Sequence, residues 1–254
     1  MSNHCAAWRR SSSVGVALLT AALGSGCSDD SYRLGGGVSG LSGPAGHREG
    51  PCENGADIEL IDSMEDQDSS IELSHGRSGN WYAFDDGSDG TQDPPVDAAS
   101  FPMAKLDPAR GRSHYSARER GGNFKNWGAG MAFDFKSKQP YDASHYAGIS
   151  FWARRSADSD DQLLFAVPDR NTSPLAGVCD DRAGLCTDDF GAKIKLSTEF
   201  EYFSFTWAEM AQVGWSLANL KAIDTAHLYG VRFVTDLVPD FDFWIDDVAL
   251  LCHP

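Results

Sequence analysis

Basic residues are scarce in this chain: 21 Lys and Arg stand against 37 Asp and Glu, for a net charge of −16 over 254 residues. A surface so short of cations cannot neutralise phosphate, which excludes nucleic acid and anionic lipid headgroups as partners. Long apolar runs are missing too. The most sustained, Val14 to Leu23, falls well short of the roughly 20 residues that a helix needs to cross a bilayer. There is no G-x-S-x-G, no H-E-x-x-H and no phosphate loop, and no Ser or Cys with an orienting acid can be assigned by spacing to His114 or His145. No internal repeat is visible. Nor does a βαβ rhythm occur, so a nucleotide-binding sheet is excluded as well.

What is present begins with a signal. Arg9 and Arg10 precede the apolar run, and Gly24, Ser25 and Gly26 lead into Cys27. A positive n-region, an apolar h-region and a small-residue cleavage site, in that order, mark a chain for export. The small residues and the cysteine resemble the bacterial lipobox, with the leucine, Leu23, four residues before the cysteine instead of three. The resemblance implies that Cys27 is acylated. It implies a lipoprotein held at the cell envelope, on the outer membrane, by its acyl chains alone. Residues 28–51 are Gly- and Ser-rich without apolar periodicity and read as a flexible tether. The fold is expected over residues 52–254. Removing residues 1–27 takes two of the 21 basic residues and none of the 37 acids, leaving 19 against 37 and a charge of −18.

Export also fixes the reading of the cysteines, because disulfides persist outside the cytoplasm. Apart from Cys5 and Cys27, four remain, and four allow three pairings. Cys52 and Cys252 bracket the domain, and chain termini commonly lie close together, so a bridge there ties the first strand to the last. Cys179 and Cys186 then staple a short loop. A thiolate metal site needs two closely spaced pairs, and only one pair here is close.

The domain reads as β almost throughout. Alternating segments run over 59–64, 81–85, 114–118, 129–135, 146–154, 162–167, 193–196, 201–207, 229–234 and 241–250. About ten short strands separated by Gly, Pro, Asp and Ser clusters predict an all-β antiparallel sandwich, a jelly roll. Short helices fit only near 207–210 or 217–221. Alternation also assigns faces. Ile149, Phe151 and Ala153 point one way, while Ser150, Trp152 and Arg154 point the other; Phe203, Phe205 and Trp207 form a core row. A ring beside polar side chains on an open sheet face is the chemistry of sugar binding, because a pyranose offers C–H faces to the ring and hydroxyls to its neighbours. Trp152 and Arg154 are therefore expected to support a ligand site.

Several segments together resemble the family-11 carbohydrate-binding modules. They are Ile61-Asp62-Ser63-Met64-Glu65, Asn80-Trp81, Asn126-Trp127-Gly128, Ala147 to Ala153, Gln162 to Arg170, Lys193 to Trp207 and Phe243 to Val248. The resemblance spans nearly the whole domain and implies a calcium-containing, galactose-binding-like jelly roll that takes up polysaccharide, a β-glucan, without cleaving it. Positions that carry sugar-stacking tyrosines in the family hold Phe84 and Asn126 here, with a ring one residue on at Trp127. The family's cationic and aromatic contact falls in Ala211 to Trp215, where Trp215 and Gln212 substitute. Asp188 or Asp189 falls near an acidic contact, with Asp188 taken as the hydrogen-bonding group.

Calcium has two candidate locations. Asp85, Asp89, Gly90 and Asp93 fit four positions of an EF-hand loop, but Gly87 and Val96 break the motif. The family resemblance implies instead that Glu65 and Asp246 hold a structural ion between the first and last strands. The expected function is thus polysaccharide binding. The alternatives are a polysaccharide-cleaving enzyme, since two of the 37 acids could converge as a catalytic pair, and a protein-binding envelope factor.

Overall fold

A computed structural model describes residues 49–254. The expected signal, Cys27 and most of the tether lie outside the described residues. No helix among them is long and apolar enough to cross a membrane.

Thirteen strands form two antiparallel sheets: β1 (Ile58–Asp62), β2 (Trp81–Asp85), β3 (Thr91–Asp93), β4 (Met103–Arg110), β5 (Ser113–Gly122), β6 (Ala129–Asp134), β7 (Gly148–Arg155), β8 (Gln162–Val167), β9 (Phe190–Lys195), β10 (Glu201–Thr206), β11 (Ala211–Gln212), β12 (Gly230–Val234) and β13 (Phe241–Leu251). The first sheet runs β10-β7-β13-β5-β3, with β1 added to β13 and β4 to β5; the second runs β11-β9-β8-β12-β6-β2. This is the sandwich that the alternation predicts. Strands β3, β4 and β11 escape it. Two of them are only two or three residues long, and β4 carries Pro108, which is tolerated because β4 pairs on one side only. The helix expected near 207–210 is a single 3-10 turn, Trp207–Glu209, closed by the Glu209 carboxylate accepting from the Thr206 N–H and hydroxyl, both at 2.9 Å. Residues 217–221 form no helix.

The core lies between the sheets. Phe151 on β7 packs edge-on to Phe233 and tilted to Phe165, each with centroids 5.0 Å apart, and stacks on Phe203 at 5.6 Å. Burial of these apolar rings is the main stabilising term. Both disulfides pair as the sequence order suggests, Cys52 with Cys252 and Cys179 with Cys186. The first joins the chain just before β1 to the end of β13, which pair with each other.

Several carboxyls are buried. Glu119 is fully buried between the sheets; one oxygen accepts from Gln92 Nε2, the other has no partner among the described residues. Burial raises its pKa well above the ordinary range. Burial likewise raises Asp62 to about 7, against the opposing hydrogen bonds from the Met64 and Trp81 N–H groups, and Asp246 to about 6, against Arg110. Between the ordinary carboxyl range near 4 and these raised values the folded chain holds protons that the unfolded chain releases, so stability is lost as pH rises. Melting temperature is expected to fall between pH 5 and about pH 8, the reverse of ordinary acid denaturation. Glu119→Gln should flatten that slope and raise the melting point at pH 8. A wild-type curve that rises across this interval contradicts the assignment.

Candidate functional site

The outer face of the second sheet is a trough, and register explains its shape. Residues directly opposite in antiparallel strands share a face. One row across five strands is Lys193, Leu164, Val234, Gly130 and Phe84; the next is Gly191, Ala166, Arg232, Ala132 and Tyr82. Glycines and alanines within these rows keep the floor low. At Gly130 a Cβ would lie 2.7 Å from the Phe84 ring, so only glycine lets that ring lie across the strand. Loops raise the walls, and the enclosed groove measures about 1030 Å³.

Two indoles stand in these walls. Trp127 is 47% exposed and packs on Phe84 with centroids 6.0 Å apart. Its loop is organised by Asp86, whose Oδ2 accepts from the N–H groups of Asn126, Trp127 and Gly128 at 2.8 to 3.1 Å. Although desolvation opposes it, hydrogen bonds from Ser88 and these amides hold the Asp86 carboxyl below the usual range. Trp215 is 57% exposed on the far wall. Its loop is organised in the same way by Asp188, which accepts from Gly214 N–H at 3.0 Å and Ser216 N–H at 3.1 Å. Gly214 has φ 95°, a conformation that favours glycine.

The polar part of the floor is Arg232 with Asp189. Arg232 Nη1 donates to Asp189 Oδ2 at 2.7 Å, while Asp189 Oδ1 is buried with no partner among the described residues. Burial raises the Asp189 pKa and Arg232 opposes the rise. Asp189 thus holds the partly exposed Arg232 guanidinium in place, and the remaining N–H groups of Arg232 can donate to a hydroxyl. Tyr82 donates to Asp134 at 3.1 Å from the neighbouring strand.

Of the residues expected from the sequence, Trp127, Phe84, Trp215 and Asp188 line one groove. Asp188 is 1% exposed and spent on backbone amides, so it positions Trp215 instead of offering hydrogen bonds to a ligand. The amide of Gln212 is likewise engaged within the protein. Its Nε2 donates to Asp188 O at 2.7 Å and its Oε1 accepts from Leu220 N–H at 2.8 Å. Trp152 and Arg154 belong to the other sheet altogether. Trp152 is 5% exposed beneath the Arg110 guanidinium, 4.7 Å from its ring, with Tyr202 5.4 Å away. Arg154 lies 4.1 Å from the Trp244 ring and 5.1 Å from Phe200. That outer face is a closed stack of rings and guanidinium groups, not an open surface. Arg232, Tyr82 and Asp189 were legible only as alternating strand residues or as one of two adjacent acids.

The calcium expectation fares differently. Glu65 and Asp246 do approach, with the Ser113 hydroxyl donating to Asp246 Oδ2 at 2.7 Å and lying 3.4 Å from Glu65 Oε1. Glu65 Oε1 also accepts from the His114 and Tyr115 N–H groups at 2.7 and 2.9 Å. Asp246 is paired with Arg110 Nε at 2.9 Å, and Asp247 with the same guanidinium at 2.5 Å. Asp246 Oδ1 is buried without a partner, yet Arg110 Nη1 beside it is too. A divalent ion there would share Asp246 with the Arg110 guanidinium. The EF-hand-like acids are also engaged: Asp85 accepts from Gly87 N–H and Asp93 pairs with Arg120 at 2.7 Å.

No protein-family model matches the chain, and no curated protein matches it in sequence. Solved structures do. A family 11 carbohydrate-binding module from Clostridium thermocellum, in complex with a β-1,3-1,4-mixed-linked tetrasaccharide, superposes with TM-score 0.52 at 11% identity, covering 77% of this chain and 96% of that one. The solution structure of CtCBM11 gives 0.52 at 10% identity, covering 78% and 96%. The fold is that of the family-11 modules. At this identity the match carries the fold alone, while the wall and floor residues are this chain's own.

Proposed function

We propose that this protein is an exported lipoprotein, acylated at Cys27, that binds polysaccharide in the groove on the outer face of the second sheet and does not cleave it. The observation that carries the reading is the pair of exposed indoles, Trp127 and Trp215, in the walls of a groove whose floor holds the Arg232 guanidinium, fixed by Asp189. Stacking rings with a few fixed polar groups suit a sugar chain. The acidic domain favours a neutral glycan over a uronate polymer, because like charges repel. The two disulfides accord with export. The resemblance to family-11 modules and the tetrasaccharide bound by one of them make a β-glucan of mixed linkage the first ligand to try.

A glycan array probed with the purified protein tests this reading. Mixed-linkage β-glucan is expected to bind and uronate polymers are not. Arg232→Ala should weaken that binding roughly ten- to thirtyfold, about 1.4 to 2 kcal/mol. Release of reducing sugar from the bound glycan, or an array without signal, counts against the proposal.

A further inference from the structure

A second cluster lies at the N-terminal edge of the domain and shares no residue with the groove. Glu53 is in the 3-10 turn that follows Cys52, Glu59 is on β1, and His75 is in the connection between β1 and β2. Each offers one ligand atom, and the three atoms lie within 4.8 Å of one another, the only such group of three among the described residues. Glu59 is 4% exposed. Its Oε1 accepts from Arg77 Nη1 at 2.8 Å and the Tyr146 hydroxyl at 2.9 Å, and lies 2.8 Å from His75 Nδ1. Its Oε2 is buried with no partner. A buried carboxylate oxygen left without a donor is costly, and here it belongs to a carboxylate grouped with His75 and Glu53.

The surrounding charge favours a cation. Arg77 is the one guanidinium paired with Glu59, while Glu72 and Glu49 add negative charge nearby. Glu72 has its pKa raised by burial first and, against the pull of Arg77, by the charges of Glu49, Asp66 and Glu59. One imidazole with two carboxylates is a donor set for zinc or a related transition ion, with water in the remaining position; calcium prefers oxygen ligands alone. We propose that Glu53, Glu59 and His75 form a binding site for a zinc-class divalent ion, which clips the start of the domain to the turn that bears His75. Two of the three ligands are exposed, so the ion exchanges with solvent.

The experiment is a titration of metal-free, full-length protein with zinc chloride, read by calorimetry and by melting temperature. One zinc per chain and a higher melting point are expected, because an ion bound only by the folded state stabilises it. His75→Ala and Glu53→Gln change exposed side chains and should leave the fold intact. Each should weaken zinc binding roughly tenfold or more and remove the rise in melting temperature. The proposal is overturned if zinc does not bind the wild type, or if both variants bind it as the wild type does. Calcium binding here as tightly as zinc would equally refute a site built around an imidazole.

Discussion

Trp215→Ala is expected to remove most of the glycan affinity and leave the melting temperature close to that of the wild type, whereas Trp152→Ala is expected to do the opposite. Trp215 stands in a Gly-containing loop and Trp152 at the centre of a strand, and they are 57% and 5% exposed. Trp215 is held out on its loop by backbone hydrogen bonds to Asp188, which the substitution does not touch. Losing a stacking ring from the wall of a binding site costs about 2 kcal/mol or more, roughly thirtyfold in affinity. Trp152 supports Arg110 on one side and packs against Tyr202. Its removal leaves a cavity and a less well-held guanidinium, and buried large-to-small changes of this kind cost about 3 to 5 kcal/mol. Thermal melts and titration of both variants with the array-positive glycan check this. Unfolding of the Trp215 variant, or unaltered affinity, would remove the far wall from the site.

The disulfides should separate stability from function in the same manner. Cys52 and Cys252 are 200 residues apart in sequence, Cys179 and Cys186 only 7. Opening the long loop relaxes the unfolded chain by about 5 kcal/mol in the chain-entropy estimate, against about 2.5 kcal/mol for the short one. The double variant Cys52→Ser with Cys252→Ser should therefore lower the denaturant midpoint much further than Cys179→Ser with Cys186→Ser. The short loop matters elsewhere. It leads directly into Thr187, Asp188 and Asp189, which line the groove, and Ser216 of the Trp215 loop donates to its Gly184 carbonyl at 3.2 Å. Opening it is expected to weaken glycan binding more than folding. Equal losses of stability from the two double variants would show that the terminal bridge does not restrain the unfolded chain as argued.

Part of the site was legible and part was not, for a definite reason. Trp127 and Trp215 could be found because each follows a strand in a Gly-containing stretch, where packing has little use for an indole. Asp86 gave no usable signal. It stands among Asp85, Asp89 and Asp93, and which acid turns toward the amides of residues 126–128 depends on a loop 40 residues away. Arg232 was visible only as the polar member of an alternating strand. Its meaning arises from Asp189, the residue before β9, a strand that is not its neighbour.

By itself the sequence determined the sandwich, most of its strands, the pairing of four cysteines and the inward faces, since period-two alternation and turn residues act locally and one buried face tolerates no slip of register. The tertiary structure alone decided which of the two outward faces is open. Ser150, Trp152 and Arg154 alternate as cleanly as Tyr82, Phe84 and Arg232 do, yet Arg110 from β4 and Phe200 cover the first face, while Gly130, Ala132 and Ala166 leave the second a trough. Alternation states that a side chain points outward. Whether water or another segment meets it there is set by residues far away in the chain, through contacts that no local pattern encodes.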